Sequence, residues 1–102
     1  MINMDIKLVN RGEEGELLLS GRLDTKNAEE VAAVFLQVAD RFRNITLNMQ
    51  ELKYISSAGL RALKKLYMKV RGNGGELSVT NVAPYVAEVF EMTGFAEMFD
   101  IK

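Results

Sequence analysis

A helical repeat runs straight into a strand repeat near Phe42, and that junction limits the folds open to this chain. In "DTKNAEEVAAVFLQVADRF", Asp24 to Phe42, the apolar residues Val31, Phe35, Val38 and Phe42 recur at i, i+4, i+7 and i+11, one face of an amphipathic helix. In "NITLNM", Asn44 to Met49, the spacing switches to alternation: Ile45, Leu47 and Met49 face one way. A strand that follows a helix this closely returns parallel to an earlier strand by a right-handed crossover. Earlier strands are available. "MDIKLVN" alternates Ile6 and Leu8 with Asp5 and Lys7, "RGEEG" is a polar turn, and "ELLLSGRL" is a more buried strand. Together they predict an opening hairpin.

The second half repeats the pattern. A helix is expected over about Ala58 to Arg71, with Leu60, Leu63, Tyr67 and Val70 as its apolar stripe and "GNGG" at its end. "ELSVTNV" is a further strand with Leu77 and Val79 inward. Pro84 suits the first turn of a third helix, "PYVAEVFEMTG", with Val86, Val89, Phe90 and Thr93 on one face and Gly94 as its stop. "AEMFDIK" adds a short last strand or helix. The order is ββαβαβα(β), a mixed α/β domain over residues 1–102 with helices packed on a sheet of four to five strands. Asp24, Thr25 and Asn27 are candidate caps for the first helix, with Asp24 the preferred one, and Glu29 and Glu30 suit its first turn.

Composition narrows the chemistry. The chain has no cysteine and no histidine, which removes disulfides, thiolate zinc sites, imidazole ligands and His-based triads together. Thirteen basic residues nearly balance fourteen acidic ones, so no broad positive field holds nucleic acid. The opening "MINMDIKLVNRGEEGE" lacks a signal peptide's apolar segment, and no run approaches a membrane span. A soluble, cytoplasmic monomer is expected. "NIT" at Asn44 matches a glycosylation sequon by letter but falls in a strand.

The chemistry that remains centres on "ELKYISSAGLRALKKLY", Glu51 to Tyr67, where Ser56 and Ser57 stand at the start of the second helix. As nucleophiles they are poorly served. "ISSAGL" is not the G-x-S-x-G elbow, no histidine activates them, and Lys64 and Lys65 lie about 10 Å along the helix. "GNGGE" follows a helix and precedes a strand, the reverse of a phosphate-binding loop. Asp24, Glu51 and Asp100 are scattered, with no metal-binding spacing. Arg61, Lys64, Lys65, Lys69 and Arg71 give the helix a basic side, read as a solvated face or as a docking surface for an acidic partner. The serines fit best as helix starters. One hydroxyl caps a free backbone N–H; the other, exposed at the positive end of the helix dipole, sits where a phosphate is well tolerated.

These residues resemble a known family. "LNMQELKYISSAGLRAL" resembles the central motif of the STAS domain, the sulfate-transporter and anti-sigma-factor-antagonist family. "LSGRLDTKNAEEV" resembles its second strand, loop and first helix, and "GNGGELSVTNVAPYVAEVFEMTGF" its Gly-Gly turn, fourth strand and last helix. The likeness covers nearly the whole chain and is closest to the free-standing anti-sigma factor antagonists. The resemblance implies that Ser57, two before Gly59, is a phosphorylation site, with Asp24 beside it and Asn48 near it. It implies that Asp24, Ser56, Ser57, Ala58, Gly59 and Leu60 contact a partner. Ser56 stands where the family often has aspartate; the change removes a carboxylate and adds a second hydroxyl. The implied mechanism is partner switching. Unphosphorylated, the protein binds an anti-sigma factor that is also a GHKL-type serine kinase; phosphorylation releases it, and a phosphatase resets it. On this reading the protein is no enzyme and holds no cofactor or metal. The competing expectations are a constitutive scaffold subunit, such as the STAS partner of a lipid-transport ABC ATPase, and a small-ligand binder, for which no constellation is found.

Overall fold

The computed structural model describes residues 4–101, with side chains to Phe99. Two strands open the chain, β1 (Met4–Arg11) and β2 (Glu14–Leu23), paired antiparallel through the tight Gly12–Glu13 turn. Gly12 takes φ +83°, and its N–H donates to Asn10 Oδ1 at 2.9 Å. Then come α1 (Ala28–Arg41), β3 (Asn44–Ile55), α2 (Ser57–Gly72), β4 (Leu77–Thr80), α3 (Pro84–Thr93), the single turn α4 (Phe95–Met98) and β5 (Asp100–Ile101). "AEMFDIK" thus supplies both a helical turn and a strand; Lys102 and the Asp100 carboxylate lie outside the described residues.

The five strands lie in chain order, β1-β2-β3-β4-β5, and every pair after the hairpin is parallel. Sequential order with right-handed crossovers puts the helices on one face of the sheet. Burial follows. Leu17, Leu19, Ile45, Leu47, Met49, Leu77 and Val79 are buried on the helix side, while Glu14, Glu16, Thr46, Asn48, Ser78 and Thr80 alternate with them on the open face. The α1 stripe Val31, Phe35, Val38 and Phe42 is buried as the periodicity predicts. Leu60, Leu63 and Val70 of α2 join it, with Tyr67 half-buried in an edge contact to Phe99.

Three expectations need correction. The strand read as Asn44–Met49 continues to Ile55, because two register shifts against β2 let "QELKYI" stay paired. The first helix begins at Ala28, so Asp24 is not its N-cap. Asn27 holds that position and makes no side-chain cap bond, while Asp24 closes the turn ahead of it. On α3, Val86 and Phe90 are buried and Val89 half-buried, but Thr93 is exposed and its hydroxyl donates to the Val89 carbonyl at 2.8 Å. Pro84 and Gly94 behave as read: the proline opens α3, and the glycine ends it at φ +82°.

Candidate functional site

The site forms where β2 and β3 end together. Leu23 and Ile55 pair across the sheet, and the Leu23 carbonyl accepts from Ser56 N–H at 2.9 Å. The loop that starts at Asp24 and the helix that starts at Ser57 therefore leave the sheet side by side.

The first loop is held by two side chains that cap each other. Asn27 Oδ1 accepts from Asp24 N–H at 2.9 Å, and Asp24 Oδ1 accepts from Asn27 N–H at 3.1 Å and Lys26 N–H at 3.0 Å. Asn27 Nδ2 also donates to the Arg22 carbonyl at 2.7 Å. Asn27 is 3% exposed. A buried amide with both ends satisfied fixes the loop, so Asp24 sits at its tip by construction. Asp24 is half-buried, with Thr25 and Lys26 exposed beside it.

The two serines divide their roles. Ser56 is the N-cap of α2, in extended backbone, and its hydroxyl accepts from Gly59 N–H at 3.1 Å. It is 9% exposed. Ser57, the first helical residue, is exposed, and its hydroxyl bonds to no other described residue. The first turn of α2 carries no acidic side chain, so nothing on the helix itself compensates the positive end of its dipole.

Gly59 explains the glycine of the motif. A Cβ there would lie 2.7 Å from Leu23 Cγ and 2.9 Å from the Leu23 carbonyl oxygen. Helix and strand meet too closely for any side chain. Gly59 and Leu60 are buried, behind the surface that Ser57 and Ala58 present. Ala58 is half-buried and reachable.

Asn48 is not brought to the serines. Its stretch of β3, to Ile55, matches Leu18–Leu23 on β2, five residues or roughly 17 Å. It lies on the open face, where Nδ2 donates to Glu16 Oε2 at 3.3 Å and Oδ1 accepts from Asn81 Nδ2 at 3.1 Å. The family resemblance implied a place near Ser57; the pairing of β3 with β2 sets Asn48 apart from it. Glu16 also receives Arg11 Nη2 at 2.7 Å, and this hydrogen bond, before Asn48's, holds its carboxyl below the ordinary value.

Between the starts of α1 and α2 lies a groove of about 320 Å³. Ala28 and Ala32 floor one side, Ala58 and Ala62 the other, with Glu29, Arg61 and Lys65 on its rim. Sequence reasoning missed this groove, although the alanines recur at i, i+4 on both helices. It also missed Arg22, whose guanidinium lies 4.2 Å from the Tyr54 ring centroid at the strand ends. Among the described residues, no group of acidic side chains could hold a metal ion, and no helix is long and apolar enough to cross a membrane.

The STAS domain family model matches residues 6–102, and the chain belongs to this family. It is 37% identical over 84 residues to BtrV of Bordetella bronchiseptica, covering 81% of this chain and 72% of BtrV. It is 22% identical over 101 residues to the anti-sigma-B factor antagonist of Bacillus subtilis, covering 99% of this chain and 91% of that one. Among solved structures, the anti-sigma factor antagonist SpoIIAA superposes in its unphosphorylated form with a TM-score of 0.82 at 19% identity, covering 96% of this chain and 88% of that chain. The phosphorylated form of SpoIIAA from Bacillus superposes at 0.75 with the same identity, covering 96% and 91%.

Proposed function

We propose that this chain is an anti-sigma factor antagonist that works by partner switching, with Ser57 as its switch. Unphosphorylated, it binds an anti-sigma factor of the GHKL serine-kinase type through the surface around Asp24, Ser56, Ser57 and Ala58. The kinase transfers phosphate from ATP to Ser57, the complex dissociates, and a serine phosphatase restores the binding form. The protein is itself the substrate and carries out no catalysis. It acts in the cytoplasm as a monomer.

The observation that carries this reading is the division of labour between the serines. The hydroxyl of Ser56 is committed to Gly59 N–H and buried, while that of Ser57 is exposed, with no partner among the described residues. The replacement of the family's aspartate by Ser56 therefore costs no ambiguity about the acceptor. Phosphate on Ser57 would add about −1.5 to −2 charges at a helix start that has no acid of its own. The fold tolerates it, since free N–H groups and the dipole favour an anion there. An interface of about 800 Å² per partner would not, because a dianion buried at its centre loses hydration without a matching cation.

The test is incubation with ATP and the GHKL kinases of the source organism, with the phosphate mapped by mass spectrometry. A single phosphate on Ser57, abolished by Ser57→Ala, is expected. Ser57→Asp is expected to fold like the parent and to lose kinase binding. Binding of Ser57→Asp as tight as the parent's, or stable binding to a transporter ATPase with no phosphate from any kinase, would replace the switch with the scaffold reading.

A further inference from the structure

The basic side of α2 is not absorbed by the switch. Ser57–Gly72 carries five basic residues and no acidic one, in a chain whose net charge is −1. Four of them, Arg61, Lys64, Lys65 and Lys69, surround a depression of about 620 Å³ whose apolar lining is Leu36 of α1 and Met68 of α2. Met68 is 60% exposed among these cations. Arg61 and Lys65 also line the alanine-floored groove beside Ser57, so the two hollows adjoin and together make a trough along α1 and α2.

An ordinary solvated face mixes charges of both signs. Here Lys69 pairs with Asp40 at 3.3 Å, but Arg61, Lys64 and Lys65 have no carboxylate within 4.0 Å among the described residues. Glu29 is the one acid lining either hollow. The trough thus offers an apolar floor, a stretch of small side chains that permits close backbone approach, and unpaired cations along its rim.

We propose that this trough docks an amphipathic helix of a partner protein, one that carries acidic side chains beside its apolar stripe. A helix lies in the valley between two others by ridge-and-groove packing, and its apolar stripe covers Met68, Leu36 and the alanines. Its carboxylates meet Arg61, Lys64 and Lys65, which steers encounter and sets orientation. Nucleic acid is the weaker match, because phosphates have no use for an apolar floor. The trough goes beyond the switch. It begins at Ala58 and extends away from Ser57 along α2, past Lys64, Lys65 and Met68, beyond the surface assigned to the switch.

The test is titration of the full ¹⁵N-labelled chain with a synthetic, helix-stabilised peptide that has a leucine stripe flanked by glutamates. Its lysine-flanked counterpart and a mixed-sequence duplex DNA serve as competitors for the assignment. The glutamate peptide is expected to shift amides at Ala32, Leu36, Arg61, Lys65 and Met68, leaving β1 and α3 unmoved, and to bind more weakly as salt rises. The double variant Lys64→Glu, Lys65→Glu should weaken it by at least about tenfold and allow the lysine peptide to bind. Both side chains are exposed, and circular dichroism checks that the variant is folded. No binding by the glutamate peptide, shifts spread over other faces, unchanged affinity in the double variant, or tighter binding of DNA to the same face would each overturn the proposal. Ser57→Asp is titrated alongside. Its added carboxylate stands one turn from Arg61 and is expected to weaken peptide binding by less than the Lys64→Glu, Lys65→Glu pair does, while abolishing kinase binding, so failure of the switch and failure of the trough are read separately.

Discussion

Gly59→Ala tests the packing that places Ser57. The added methyl would stand 2.7 Å from Leu23 Cγ, 2.9 Å from the Leu23 carbonyl oxygen and 3.0 Å from Ile55 Cγ1. The carbonyl is not free to retreat, since it accepts from Ser56 N–H at 2.9 Å. Two effects oppose each other. Alanine is better than glycine in a helix by about 1 kcal/mol. Overpacking against a strand costs about 1–3 kcal/mol and here also strains the bond that seats α2. The expected net is a loss of up to about 2 kcal/mol. Gly72→Ala is the control, because at the far end of the same helix a Cβ meets nothing within 4 Å. There only the propensity gain remains, and stability should hold or rise by up to about 1 kcal/mol. Urea denaturation of both variants, compared at unchanged m, reads the difference. If Gly59→Ala is as stable as Gly72→Ala, the close approach of α2 to β2 is not what requires the glycine. The same variant should present Ser57 less well, since the start of α2 must move away from the Asp24 loop.

Two further outcomes are expected besides those given for Ser57 and for the trough. Ser56→Ala removes the cap and leaves the Gly59 N–H buried without a partner; a loss of about 1 kcal/mol is expected by denaturant titration, while Ser57→Ala should stay within about 0.5 kcal/mol of the parent. The Glu16 carboxyl is held below its ordinary 4.5 by the Arg11 hydrogen bond, so its folded value lies under its unfolded one. The stability this contributes is present above about pH 4.5 and is lost as pH falls through the folded value. Glu16→Gln should therefore flatten the acid limb of stability against pH, and an unchanged slope below pH 4.5 would remove Glu16 from the account.

Local order was set by the sequence alone. Period-2 and period-3.6 patterns are properties of neighbouring residues, so the hairpin, the three main helices and the buried stripes of α1 and α2 were legible without a fold. So were the proline start and glycine stop of α3, and the placing of two serines where a helix begins. Tertiary structure decided what depends on residues far apart in the chain. Ser56 and Ser57 are chemically alike and adjacent, yet one is buried and bonded and the other exposed, because the Leu23 carbonyl, 33 positions earlier, fixes the first. β3 runs on to Ile55 only because β2 is there to pair with it, and that extension carries Asn48 away from the serines. Asp24 and Asn27 looked like competing caps; folded, each caps the other, since the amide of Asn27 is also claimed by the Arg22 carbonyl. The trough has two walls from helices joined through β3, and no window of sequence contains both. Pattern fixes which residues seek burial; only packing fixes which of them meet, and which polar groups are left facing a partner.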